Sequence, residues 1–279
     1  MLTIAHLSDT HLTSAGVTYN ARIDADAALN RVAQVLLQAA RDGAGPDVIV
    51  LSGDLTDSGD PEAYRRLRAA AQPLAPIVIY ATGNHDLRSV FHREILGRDD
   101  SGPVLQVHRL SALRILVLDS TIPGAGHGRL DPAHLGELRD ELAEQHPGGS
   151  LVVLHHAPLP PVSPLLTYFA LERASRESLA EVLDGTDVRL VLAGHHHLAG
   201  SGMLGRIPVA VAGSTAIRTD PLAPPGHERT TASASFNLVR VYPDSVTVSV
   251  IPVDAAEEVF HLDEQGCAAV VDAHPAGTS

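Results

Sequence analysis

Six short apolar runs rich in β-branched residues punctuate the first two thirds of the chain, and the stretches between them are amphipathic. This alternation narrows the choice of architectures more than any other feature. The runs cover residues 3–8, 47–52, 77–82, 113–119, 150–155 and 188–194. Almost uninterrupted apolar character suits strands covered on both faces rather than strands with one wet side. The segments 24–41, 61–72, 131–145 and 175–183 space their apolar residues as helices do. Asp60 is well placed to cap the second of these, with Pro61 at its first helical position. An α/β fold is expected.

Beyond Gly200 the pattern changes to strands joined by turns: RIPVAVAG, SFNLVRVYP and SVTVSVIPV, with YPDS as a hairpin turn. These later strands are expected to form a second sheet packed on the first. Residues 214–233, rich in Pro, Thr and Ser and without periodicity, read as a long loop, and long ordered loops are usually functional. No repeat or linker divides the chain, so residues 1–262 are expected to form one domain, with 263–279 a loosely held tail.

A hydrophobic content of 44% over 279 residues is enough for a sizeable core. The net charge of -13, with no basic run, argues against nucleic acid or an anionic membrane as partner, because phosphate backbones demand clustered positive charge. The opening residues MLTIAHLSD have no basic region ahead of a long apolar one, and no segment is long enough to span a bilayer, so a cytoplasmic protein is expected. Cys267 is the only cysteine, which rules out an internal disulfide, a thiolate zinc cage and an iron–sulfur cluster. All 20 basic residues are arginine, and the lack of lysine removes Walker-type phosphate loops, Schiff-base chemistry and carbamylated-lysine metal bridges.

Five polar stretches each follow one of the apolar runs: Asp9-Thr10-His11, Gly53-Asp54, Gly83-Asn84-His85-Asp86, His155-His156 and Gly194-His195-His196-His197. Strand C-termini are where binding crevices open in α/β sheets, so all five can converge. In an extended chain residues i and i+2 share a face, which pairs Asp9 with His11 and His195 with His197. Asp54 is the natural carboxylate to bridge two cations. Histidine, carboxylate and one amide oxygen without sulfur suit manganese, iron, zinc or cobalt rather than calcium or magnesium. Seven candidate ligands exceed what one ion with an open position would use, so two metal ions per chain are expected. Taken singly, His6, His92 and His108 read as packed or surface residues. GDLTD alone could be a capping loop and GNHD a turn.

Together, Asp9-x-His11, Gly53-Asp54, Gly83-Asn84-His85-Asp86, His155 and Gly194-His195-x-His197 resemble the calcineurin-like metallophosphoesterase superfamily over roughly residues 2–252. The HHAPLPP segment and RIPVAVAGST look most like its class III cyclic nucleotide phosphodiesterases and the related glycerophosphodiesterases. The resemblance implies a four-layer αββα sandwich of two mixed sheets with a two-metal centre between them. It would assign Asp9, His11, Asp54 and His197 to the first metal, and Asp54, Asn84, His155 and His195 to the second, with His156 and His196 not ligands. Purple acid phosphatases carry a tyrosine ligand three positions after the bridging aspartate. Asp57 stands there instead, so no tyrosinate colour is expected.

The implied activity is hydrolysis of small phosphodiesters, cyclic nucleotides of the cAMP type first, by attack of a metal-bridging hydroxide. His85 is placed to contact or protonate the leaving oxygen, with Asp86 fixing its tautomer. Arg218, in the long loop, could reach substrate or stay solvated. A glycerophosphodiesterase and a phosphomonoesterase are the nearest rivals. A nuclease would need a basic groove that the composition lacks. A non-catalytic metal-binding module conflicts with the full ligand set, and a barrel amidohydrolase with Asp9-x-His11 and the missing lysine. The apolar segment PLLTYFAL, residues 164–171, is expected either to cover a second copy in a homodimer or to be a buried loop.

Overall fold

A computed structural model describes residues 1–161, 163–254 and 257–273. Its strands are β1 (Leu2–Leu7), β2 (Val48–Leu51), β3 (Ile77–Tyr80), β4 (Leu105–Arg109), β5 (Arg114–Leu118), β6 (Ser150–His156), β7 (Val188–Gly194), β8 (Gly200–Leu204), β9 (Ile207–Val211), β10 (Arg218–Thr219), β11 (Thr230–Thr231), β12 (Ser235–Val241) and β13 (Val246–Pro252). Its α-helices are α1 (Ala25–Arg41), α2 (Pro61–Ala71), α3 (Arg88–Phe91), α4 (Pro132–Leu142), α5 (Arg173–Leu183) and α6 (Glu264–Ala273). Asp60 caps α2 as expected, its side chain accepting from the backbone N–H groups of Glu62 and Ala63.

Two mixed sheets form, in the orders β13-β12-β1-β2-β3 and β4-β5-β6-β7-β9-β8. Each holds a parallel core, β1-β2-β3 in one and β5-β6-β7-β9 in the other. The six apolar runs are therefore shared between two sheets. The later strands do not make a sheet of their own: β12 joins β1 antiparallel, while β8 and β9 extend the sheet of β7. Apolar character identified these segments as strands, but sheet membership is decided by partners far away in sequence. The YPDS turn does join β12 to β13, with Val241 opposite Val246.

The inner faces of the sheets meet through Ile4, Val48, Val50 and Val239 on one side and Ile115, Val117, Val153 and Leu192 on the other. The outer face of the first sheet packs on α1 and α2 through Leu29, Val32, Leu36, Tyr64 and Leu67. That of the second packs on α4 and α5 through Leu138, Leu142, Leu179 and Val182. With both faces covered, β1, β2, β5, β6 and β7 are mostly apolar, and four αββα layers result.

Two elements escape the sequence pattern. The edge strand β4, LQVHR, is short and mostly half-buried, and α3 runs directly into a π-turn at His92–Leu96. The 214–233 loop is pinned by a small hairpin, with Arg218 opposite Thr231 and Thr219 opposite Thr230. Within the expected tail, α6 has no buried residue, and 274–279 lie outside the described residues. No helix among the described residues is long and apolar enough to cross a membrane.

Candidate metal centre

Every expected ligand sits where a strand of a parallel core ends: Asp9 and His11 past β1, Asp54 past β2, Asn84 past β3, His155 at the end of β6, and His195 and His197 past β7. Extended backbone does not pair them. Asp9, His11, Asp54, His195 and His197 all have left-handed φ values, between 44° and 71°. Leaving the strands, the chain curls, and the curl rather than the pleat brings residues i and i+2 to one point. Each such non-glycine residue costs about 1–3 kcal/mol, a cost that functional sites commonly carry. The turns lock together through Asp9 N–H to Gly53 O (3.0 Å), His11 N–H to Asp54 O (3.0 Å) and His195 N–H to Asp9 Oδ2 (3.0 Å). Gly83 is required by close approach, since a Cβ there would lie 2.2 Å from Asp54 Oδ1.

The expected ligand atoms gather into two groups that share Asp54, while His11, Asp57 and His85 form a third cluster at the rim. Asp9, His11, Asp54 and His197 form one, with His11 Nε2 3.0 Å from His197 Nε2 and His197 Nε2 3.3 Å from Asp9 Oδ1. Asp54, His155 and His195 form the other, joined by Asn84, whose Oδ1 is 3.1 Å from His155 Nε2. Proton accounting tests whether a cation fits. His155 Nδ1 donates to Ser52 O (2.9 Å), and His195 Nε2 donates to Phe169 O (2.9 Å). In the neutral rings this leaves lone pairs on His155 Nε2 and His195 Nδ1, which face each other at 3.2 Å, with Asp54 Oδ2 3.4 Å from the former. Lone pairs converge on a cation, not on one another. In the first group Asp9 Oδ1 is buried without a hydrogen-bond donor. Both groups fit a metal ion.

Electrostatics agree. Burial opposes ionisation of Asp9 and Asp54, but His197 beside the first and His155 beside the second hold both well below the usual carboxylate range. Burial also opposes charge on His155, yet Asp54 and then Asp9 carry it up to about 9, so without a cation a proton on Nε2 takes the place that a metal ion would hold. His195 is driven well below its ordinary value, by burial first and then by His156.

His85 stands exposed at the rim, and its partner differs from the one expected. Its Nδ1 lies 3.0 Å from Asp57 O and 3.2 Å from Asp57 Oδ1. Burial lowers its pKa, but Asp57 and Asp54 outweigh that and raise it to about 9. Asp86 turns away. Its carboxylate accepts from the backbone N–H groups of Leu55, Thr56 and Gly83 and from the hydroxyls of Thr56 and Tyr64, tying the Asp54 and Asn84 loops together. A residue next to His85 in an irregular turn points elsewhere, whereas Asp57 reaches it from another loop. The second acid of GDLTD was the available signal.

The chain matches the family model of the calcineurin-like phosphoesterases over residues 2–199. It belongs to that family. It is 42% identical over 258 residues to a probable cyclic nucleotide phosphodiesterase of Rhodococcus erythropolis, covering 90% of this chain and 84% of the relative. Identity to a cAMP/cGMP dual specificity phosphodiesterase of Mycobacterium tuberculosis is 38% over 262 residues, covering 92% and 81%. A purple acid phosphatase from yellow lupin seeds shares the fold, with a TM-score of 0.64 at 12% identity over 90% of this chain and 51% of that one.

In this calcineurin-like phosphoesterase, residues outside the ligand set complete the site. Tyr19 stacks on His11 at 4.5 Å, a contact without any sequence signal. The PLLTYFAL segment forms a 3₁₀ turn, Leu165–Phe169, whose Leu165, Leu166 and Phe169 line a 360 Å³ cavity over the centre. His156 is buried, with Nδ1 2.9 Å from Ser120 Oγ and Nε2 3.1 Å from Gly126 O. His196 is also buried, and Arg218 is exposed on the hairpin.

Buried neutral histidines set a pH dependence of stability. Burial pushes His6 down to about 3, against Asp9, and pushes His156 to about 3 with help from His155. Unfolded, both titrate near 6.5, so between about 3 and 6.5 the folded chain binds fewer protons and stability rises with pH. Asp86, raised to about 6 by burial and then by Asp54, opposes this with one group. The raised His85 and His155 act only on the alkaline side. His11, His195 and His196, lowered as well, act in the same direction, so denaturant titration of chelator-treated protein should lose at least about 1.4 kcal/mol per pH unit from pH 6 to 5. A flat profile there contradicts burial of neutral imidazoles.

Proposed function

We propose that this chain is a two-metal phosphodiesterase that hydrolyses 3′,5′-cyclic nucleotides of the cAMP type. The observation that carries this reading is the convergence of seven ligand side chains into two groups sharing Asp54, in a chain whose relatives over nine tenths of its length are named as cyclic nucleotide phosphodiesterases. Asp9, His11, Asp54 and His197 would hold one ion, and Asp54, Asn84, His155 and His195 the other. The mixed nitrogen and oxygen donors suit manganese, iron, zinc or cobalt. When bound, the ions supply Lewis acidity toward the phosphoryl oxygens and acidify water, which offsets the global charge of -13.

The chain's own residues supply orientation and proton control. Ser52 O and Phe169 O fix the tautomers of His155 and His195, so the coordinating nitrogens need no rearrangement. His85, cationic at neutral pH through Asp57, meets the anionic diester and holds on Nε2 the proton that the leaving oxygen requires. The lone exposed Cys267 suits a reducing compartment, and hence the cytoplasm. The net charge of -13 in a sequence without a basic run argues against nucleic acid and membrane as partners. Tyr168, exposed on the 3₁₀ turn, is the part of that segment free to meet a second copy in a homodimer.

Turnover of cAMP and bis-p-nitrophenyl phosphate should exceed that of p-nitrophenyl phosphate by at least ~10-fold in kcat/KM, as expected of a chain whose relatives over nine tenths of its length are named as cyclic nucleotide phosphodiesterases. The opposite ranking would make the chain a monoesterase.

A further inference from the structure

The 360 Å³ cavity above the ligand groups is lopsided. Its floor is Asp54, Asn84, His85, His195 and His197, the groups that meet phosphate. One wall is hydrocarbon, made of Leu165, Leu166 and Phe169 from the 3₁₀ turn, and Ile217 lines the cavity as well. Asn20, Thr219, Glu228 and Thr230 supply polar groups elsewhere around its lining.

Phosphodiester hydrolysis has no use for an exposed hydrocarbon wall. Leu165 and Phe169 keep 47% and 37% of their surface exposed beside a highly polar floor, a cost that a bound apolar group would remove. The wall is also held in register with the floor, because Phe169 O accepts from His195 Nε2. On another side, Tyr19 stacks on His11, and the turn beyond it holds Asn20 and Ala21 at φ of 50° and 55°, the only other left-handed non-glycine residues among those described. Backbone strain of this kind gathers at ligand sites. Asn20 offers both a donor and an acceptor, and Glu228 accepts from an exocyclic amine.

We propose that Leu165, Leu166 and Phe169 form the face on which the purine of a cyclic nucleotide packs, with Asn20 and Glu228 reading its polar edge. The site thereby selects nucleotides over glycerophosphodiesters. This rests on the phosphodiesterase reading above and adds the part of the substrate that the ions do not touch. Glycerol is small and polar and would leave the wall wet, whereas a purine presents a flat apolar face and an amine-bearing or carbonyl-bearing edge.

Adenosine, which has no phosphate, is the probe. Saturation-transfer NMR on chelator-treated protein should detect its binding, and it should compete with cAMP in manganese-loaded protein. In a Leu166→Ala/Phe169→Ala variant, which keeps the Phe169 backbone acceptor, adenosine competition should weaken and KM for cAMP should rise by about ten-fold, the loss of about 1.4 kcal/mol of apolar contact. The loss of kcat/KM for glycerophosphoethanolamine should be several-fold smaller. Leu165→Ala, four residues before the Phe169 carbonyl that meets His195, should show the same bias toward cAMP. Equal losses on both substrates, or adenosine that fails to compete while cAMP is hydrolysed, would overturn the purine wall alone. If wild-type protein turns over neither diester, the phosphodiesterase reading itself is overturned.

Discussion

Asp54→Asn should lower cAMP hydrolysis by on the order of a thousand-fold or more while leaving the fold intact. Asp54 is the only residue common to both ligand groups, and it is fully ionised in place because His155 and His11 outweigh the cost of burying it. Asparagine keeps the shape, tolerates the left-handed backbone at φ 48° and can still accept the His85 N–H through its amide oxygen, but it removes the shared charge. Elemental analysis should show the bound metal falling together with activity. An Asp54→Asn chain that keeps full turnover would mean that the two groups do not act as one centre.

Asp57→Ala should come next, with kcat down about 10- to 100-fold and the thermal midpoint little changed. The carboxylate raises the His85 pKa, and its loss leaves only the Asp57 carbonyl on Nδ1. The same carboxylate lies 3.6 Å from His11 Nδ1, so weaker metal binding should accompany the rate loss. The alkaline limb of the kcat profile should move to lower pH, because His85 would then give up its proton earlier. Asp86→Ala should do the reverse, leaving three backbone donors and the Tyr64 hydroxyl without their acceptor and costing at least about 3 kcal/mol of stability. Were Asp86→Asn instead to abolish the alkaline shift with the fold intact, while Asp57→Ala left kcat untouched, the partner of His85 would be Asp86 after all.

These contrasts mark where a linear reading of the chain stops. Strands β1 to β3 and β5 to β7 are legible because both their faces are buried and their apolar runs are unbroken. The ligand types were legible because each follows such a run. How the ligands meet was not, since Asp9, His11, His195 and His197 converge through left-handed turns rather than along a pleat. The same limit explains β12, whose pairing with β1 closes 231 residues between His6 and Asn237 and leaves no local trace. Asp57 and Asp86 are alike in composition and differ only in which loop they face. The PLLTYFAL segment turned out to be a cavity wall because Phe169 O meets His195, a contact set by the tertiary fold.

The central claim is that two ions on these seven ligands hydrolyse a phosphodiester. Its most direct test is to titrate manganese into chelator-treated protein while following cAMP hydrolysis and counting bound metal. Turnover should be absent without metal, rise until it saturates at about two ions per chain, and fall at least a hundred-fold at saturation in Asn84→Ala, which lacks a ligand of the second group alone. Full turnover in protein shown by elemental analysis to be metal-free, or a saturated two-ion protein that leaves cAMP intact, would contradict it.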